Sequence, residues 1–70
     1  MDKEIKTRLG LRIVELRKQH DIGMEELAEQ LGFPIAYMAL IERGMRLPDV
    51  MELREIAAIL KTSIDFLVNE

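Results

Sequence analysis

Seventy residues with no cysteine and a net charge of −3 leave room for one small domain and exclude both a disulfide framework and a thiolate metal site. Stability must come from packing the 49% of residues that are apolar. No leader pattern opens the chain and no apolar run approaches the roughly 20 residues that span a bilayer, so a soluble, cytoplasmic protein without a membrane partner is expected.

Periodicity predicts helices and no strands, repeats or low-complexity tract. Ile5, Leu9, Ile13 and Leu16 recur at helical spacing with charged residues between them, which predicts an amphipathic first helix over 3–19. A second helix is expected over 24–31, burying Leu27, Ala28 and Leu31, with Glu25 and Glu26 in the first turn where the helix dipole favours negative charge. Gly32 ends it, since glycine takes the left-handed conformation readily. Pro34 suits the first turn of a third helix over 34–43, which Gly44 closes. After a turn at Leu47 and Pro48, Asp49 and Glu52 have capping-box spacing at the start of a fourth helix, 49–60, whose stripe is Leu53, Ile56, Ala57 and Leu60. Thr62 or Ser63 caps a short fifth helix over 63–68. The expectation is an all-α, five-helix bundle forming a single domain over 1–70, with no further sensing or oligomerising module after the last helix.

Charge is unevenly spread. Residues 1–20 are net +3 and residues 43–70 net −1, whereas residues 21–42 carry Asp21, Glu25, Glu26, Glu29 and Glu42 with no Lys or Arg. A nucleic-acid-binding domain is usually basic, although a local patch can still supply phosphate contacts.

The stretch LRKQHDIGMEELAEQLGFPIAYMALIERG, with Leu27-Ala28, Leu31-Gly32, Ile41 to Gly44 and then Pro48, closely resembles the Cro/C1-type (XRE, phage-repressor-like) helix-turn-helix family from about Leu9 to Leu67. The resemblance implies a lambda-repressor-like fold with the helix-turn-helix formed by helices 2 and 3. It also implies a transcriptional regulator that lays helix 3 in the major groove of double-stranded DNA. On this chain the implied base-facing positions are Pro34, Ile35, Ala36, Ala39 and Leu40, and the implied phosphate positions are Met24, Arg43 and Arg46, with the N-terminal half of helix 1 assisting. Arg17 and Glu42 occupy positions of a structural ion pair. The last helix, with Ile64, Phe66, Leu67 and Val68, corresponds to a homodimer seam.

The chain departs from the family at the reading positions, where Ser, Thr, Gln, Arg or Asn usually discriminate bases. Projected at 100° per residue, Tyr37, Met38, Ile41 and Glu42 share the side that the fold must bury, and Ile35, Ala36, Ala39, Leu40 and Arg43 share the other. Two readings follow. In one, apolar side chains touch thymine methyls, Tyr37 reaches a phosphate and the helix N-termini take phosphate oxygens. In the other, Met24, Ile35, Ala36, Ala39 and Leu40 form a protein-binding or self-association surface with little DNA binding, natural or redesigned.

Catalysis is not expected. The chain has one serine and one histidine, and Ser63 has a ready role as a cap, so no triad can be assembled. An acidic helix face with one histidine gives no metal cluster, and no cofactor is implied. His20 is expected at the end of helix 1, favoured there by the dipole. Met38 and Met51 are expected as core fillers, Phe33 as an anchor of the turn, and Ile64, Phe66, Leu67 and Val68 as residues that could also all be core.

Overall fold

The computed structural model describes residues 2–70. Five helices follow one another: α1 (Asp2–Gln19), α2 (Met24–Leu31), α3 (Ile35–Glu42), α4 (Val50–Ile59) and α5 (Ile64–Val68). No strand occurs among the described residues, and none of the helices is long and apolar enough to cross a membrane. The fold is all-α, a bundle of five helices with the order expected from the sequence. α1 packs against α2, α3 and α5, while α4 closes the bundle against α2 and α5.

The core takes one apolar stripe from each helix. Leu9 and Ile13 from α1 meet Leu27, Ala28 and Leu31 from α2, Met38 and Ile41 from α3, Leu53, Ile56 and Ala57 from α4 with the following Leu60, and Leu67 from α5. Each fully buried Leu, Ile or Met contributes about 1.5–3 kcal/mol, so no member of so small a core is dispensable. Met51 is the exception to expectation: it is 64% exposed. It lies two residues before Leu53, about 200° around the helix from that stripe, and so points away from the core.

Four of the five helices end in the same way. The N–H groups of Ile22, Phe33, Met45 and Thr62 reach back to the carbonyls of Arg17, Ala28, Leu40 and Ala57 at 2.8–2.9 Å, the six-to-one bond of a Schellman motif. The residue before each donor has positive φ: Asp21 at 59°, Gly32 at 73°, Gly44 at 76° and Lys61 at 56°. Two of these turns therefore hold a residue with a Cβ where glycine is preferred. They are linked to each other, because the His20 ring donates through Nε2 to the Leu60 carbonyl at 2.8 Å. His20 thus lies just past α1 and ties it to the end of α4, which is more specific than the dipole role expected for it.

α1 passes very close to the end of α3. A Cβ on Gly10 would stand 2.5 Å from the Glu42 carbonyl oxygen and 2.8 Å from that of Ile41, a separation that only hydrogen allows. Two turns further along α1, Arg17 clasps the Glu42 side chain, with Nε–Oε2 at 2.7 Å and Nη2–Oε1 at 2.9 Å. Arg17 also donates to the Ile22 carbonyl at 3.1 Å, bracing the turn into α2.

At the other side of α1, Arg8 donates to the Val68 carbonyl at 2.8 Å, and Arg12 donates to the carbonyls of Phe66 and Asn69. The Arg12 guanidinium also lies over the Phe66 ring, 4.8 Å from its centre. Ser63 caps the other end of α5 by accepting from the Phe66 N–H at 3.0 Å. A five-residue helix is marginal by itself, and these contacts hold it on the bundle.

Candidate nucleic-acid interface

The bend between α2 and α3 is built on Gly32. Its φ of 73° ends α2, and Phe33 then packs its ring edge against Tyr37, centres 5.0 Å apart and planes at 72°. Pro34 is the N-cap of α3, with φ −58° and ψ 143°, so the helix begins at Ile35 and the expectation of Pro34 as its first helical residue is corrected. The residue's extended ψ places it half outside, while its carbonyl still accepts from the Tyr37 and Met38 N–H groups at 3.0 and 3.1 Å.

From that start α3 presents two apolar faces. Met38 and Ile41 are fully buried, whereas Ile35 is 49% and Leu40 37% exposed. Ala36 is exposed and Ala39 half-buried beside them. Met24 is half-buried and packs against the core, so the outward stripe is carried by α3 itself. Its side chains offer no hydrogen bond to a base edge.

Tyr37 is held on three sides. Its hydroxyl donates to Glu52 Oε1 at 2.7 Å, Phe33 meets its ring, and the Arg46 guanidinium lies 5.6 Å from the ring centre. Burial, then the hydrogen bond to Glu52, pushes the phenol above its ordinary value of 10.0. Its proton is already committed, which leaves it poorly placed to donate to a phosphate. Glu52 also accepts from the Asp49 N–H at 3.0 Å and its own N–H donates to Asp49 Oδ1 at 2.8 Å, completing the capping box that starts α4. The capping box is legible from residue spacing, but the tie from it to Tyr37 is not.

Helix ends divide into two groups. α4 and α5 carry side-chain caps at Asp49 and Ser63, whereas Gly23 before α2 and Pro34 before α3 supply none. The first N–H groups of α2 and α3 therefore keep capacity for an incoming oxygen. Arg43 and Arg46 are exposed at the end of α3 and in the loop beyond it. On α1, by contrast, Arg8 and Arg12 are engaged with α5, so these two cations are used inside the fold.

Beside the α3 stripe, Glu25, Glu26 and Glu29 of α2 line a groove with Phe33, Pro34 and Ile35. No group of three His, Asp or Glu among the described residues could hold a metal ion. At α5, Phe66 is 45% exposed and Ile64 and Val68 are half-buried, but Leu67 is fully buried. That removes Leu67 from any seam, because its side chain is spent in the core, and it removes Phe66 from the core.

The helix-turn-helix family matches this chain over residues 13–67, from the fourth turn of α1 to the buried Leu67 of α5. The chain belongs to the Cro/C1-type helix-turn-helix family. Within that family it is similar to the HTH-type transcriptional regulator SinR of Bacillus licheniformis, 35% identical over 63 residues, covering 89% of this chain and 57% of the relative. The SinR protein of Bacillus subtilis (strain 168) is 33% identical over the same length and shares. An uncharacterized HTH-type transcriptional regulator, y4dJ, of Sinorhizobium fredii is 34% identical over 55 residues, which is 79% of this chain and 71% of that one. The chain thus spans a little over half the length of the SinR relatives it matches.

Proposed function

We propose that this helix-turn-helix chain is a non-catalytic, DNA-binding transcriptional regulator that lays α3 in the major groove with little base discrimination. One observation carries the reading: the bend at Gly32 turns Ile35, Ala36 and Leu40 outward on the helix that the family uses for reading DNA. Uncapped N–H groups at the starts of α2 and α3 receive phosphate oxygens, and Arg43 and Arg46 supply the charge. Ile35, Ala36, Ala39 and Leu40 are limited to van der Waals contact, chiefly with thymine methyls, and Pro34 approaches the backbone.

Two exposed arginines predict a salt slope of about −1.8 per domain, using about −0.9 for each phosphate neutralised. Fluorescence anisotropy with random duplex DNA at several salt concentrations measures it directly. Arg43→Ala and Arg46→Ala are each expected to flatten the slope by about 0.9. No binding even at low salt overturns the proposal.

Two copies pair, in the same proposal, through α5, using Ile64, Phe66 and Val68 around the axis, which sets half-sites about one DNA turn apart. Light scattering on Phe66→Glu is the check. A monomer is expected, and a persistent dimer removes this seam.

A further inference from the structure

We infer that the α3 stripe and the acidic wall beside it form a docking site for a basic amphipathic helix from another protein, which competes with DNA for the same face. The peptide site goes beyond DNA binding and stands without it; only the competition rests on the proposed function.

The floor of the site is Ile35, Ala36, Ala39 and Leu40, two of them large side chains with a third to a half of their surface open. Groups of this kind gain by leaving water and give nothing to a hydrogen-bonding partner. Along one edge stand Glu25, Glu26 and Glu29, which share a groove with Ile35. No Lys or Arg occurs between Lys18 and Arg43, and among the described residues no cation pairs with these three carboxylates. The Gln30 amide donates to Glu26 Oε2 at 3.3 Å.

Charge and hydropathy together select the occupant. A phosphate is drawn to the free N–H groups at the α2 N-terminus but meets like charge along Glu25, Glu26 and Glu29, whereas an apolar helix without cations leaves the carboxylates unused. A helix with apolar residues at i, i+4 and i+7 and Lys or Arg on one flank satisfies both halves of the surface. Ile35 to Leu40 rises about 8 Å, so roughly two turns of such a helix cover it. A second copy of this chain is a poorer fit. Its exposed apolar residue on a basic helix is Leu11, but the neighbouring Arg8 and Arg12 are already bonded to α5.

A titration of the ¹⁵N-labelled chain with an amidated peptide of about 16 residues, Leu at i, i+4, i+7 and i+11 and Lys along one flank, tests this directly. Saturable shifts confined to residues 25–40 are expected. Leu40→Ser, and separately Glu25→Gln with Glu29→Gln, should each weaken binding about tenfold, with an amide spectrum that shows the fold retained. A peptide with Glu in place of Lys should not bind. Absence of shifts at about 1 mM peptide, shifts elsewhere on the fold, or indifference to all these substitutions overturns the inference. Concentration-dependent shifts of the same residues without peptide also overturn it, in favour of self-association. Duplex DNA added in a second series separates the two proposals. Peptide binding without DNA binding removes the regulator reading alone, whereas DNA and peptide binding at once without displacement removes the competition.

Discussion

Glu42 is held by α1 at both ends: its carboxylate takes two hydrogen bonds from Arg17, at 2.7 and 2.9 Å, while its carbonyl oxygen lies where a Cβ on Gly10 would be only 2.5 Å away. Both side chains of the pair are largely shielded, with 13% of Arg17 and 9% of Glu42 accessible. Shielding makes a lone survivor costly, because the remaining charge loses its partner without regaining water. Arg17→Ala or Glu42→Ala should destabilise the domain by about 3 kcal/mol, the lower end for a buried pair. Arg17→Ala is the worse of the two, since it also frees the Ile22 carbonyl. The double substitution should cost clearly less than the sum in urea unfolding.

Gly10→Ala tests the backbone half of that relationship. The atoms in the way are main-chain carbonyls, which cannot swing aside as a side-chain tip can, so α1 must lift from α3. A loss of about 3 kcal/mol or more is expected, beyond ordinary overpacking. Gly23→Ala is the control: nothing lies within 4 Å of its added Cβ. Thermal melts of the two variants should differ widely.

Much of this fold is legible in the sequence because it rests on local rules. The Leu9 and Ile13 spacing, the glycine at Gly32 and the Asp49–Glu52 box each act within a few residues, and each appears in place. The same holds for the division of α3, where 100° per residue correctly separates Met38 and Ile41 from Ile35 and Leu40. Contacts between distant residues are not legible. Arg8 and Arg12 look like free cations until α5 is seen against them, and Gly10 looks like a weak point in a helix until Glu42 is beside it. Tyr37 likewise looks available for a phosphate until Glu52 takes its proton.

The turns at Asp21 and Lys61 carry an avoidable strain. A residue with a Cβ costs about 1–2 kcal/mol in the left-handed region, partly offset by the greater freedom that glycine loses on folding. Lys61→Gly should therefore stabilise the domain by about 0.5–1 kcal/mol. Denaturant midpoints read the change, and the His20 to Leu60 bond should persist because it uses backbone the substitution leaves in place.

Capping α2 should separate stability from DNA affinity. Gly23 has the extended φ of −76° and ψ of 160° that an N-cap requires, but no side chain to complete it. Gly23→Asp supplies an acceptor and should raise stability by a few tenths of a kcal/mol. The same carboxylate occupies the N–H groups proposed for phosphate and adds like charge. DNA affinity is expected to fall while the melting temperature rises, and a parallel rise in both would remove the α2 N-terminus from the interface.

Tyr37 gives a titration with no background, since the chain has one tyrosine and no tryptophan. Burial and the Glu52 hydrogen bond hold its phenol above 10.0, so tyrosinate absorbance should appear only beyond that pH in the folded chain. Because folding raises this value, its contribution to stability is whole below pH 10 and is lost as pH climbs through the raised value. Urea midpoints should fall across that window. Glu52→Gln should bring the absorbance midpoint part of the way down, because burial, the larger cause, remains. Tyr37→Phe should abolish the alkaline loss attributable to this residue while keeping the ring between Phe33 and Arg46. If the alkaline profile of Tyr37→Phe matches the unaltered chain, the Tyr37 proton is not what ties α3 to α4.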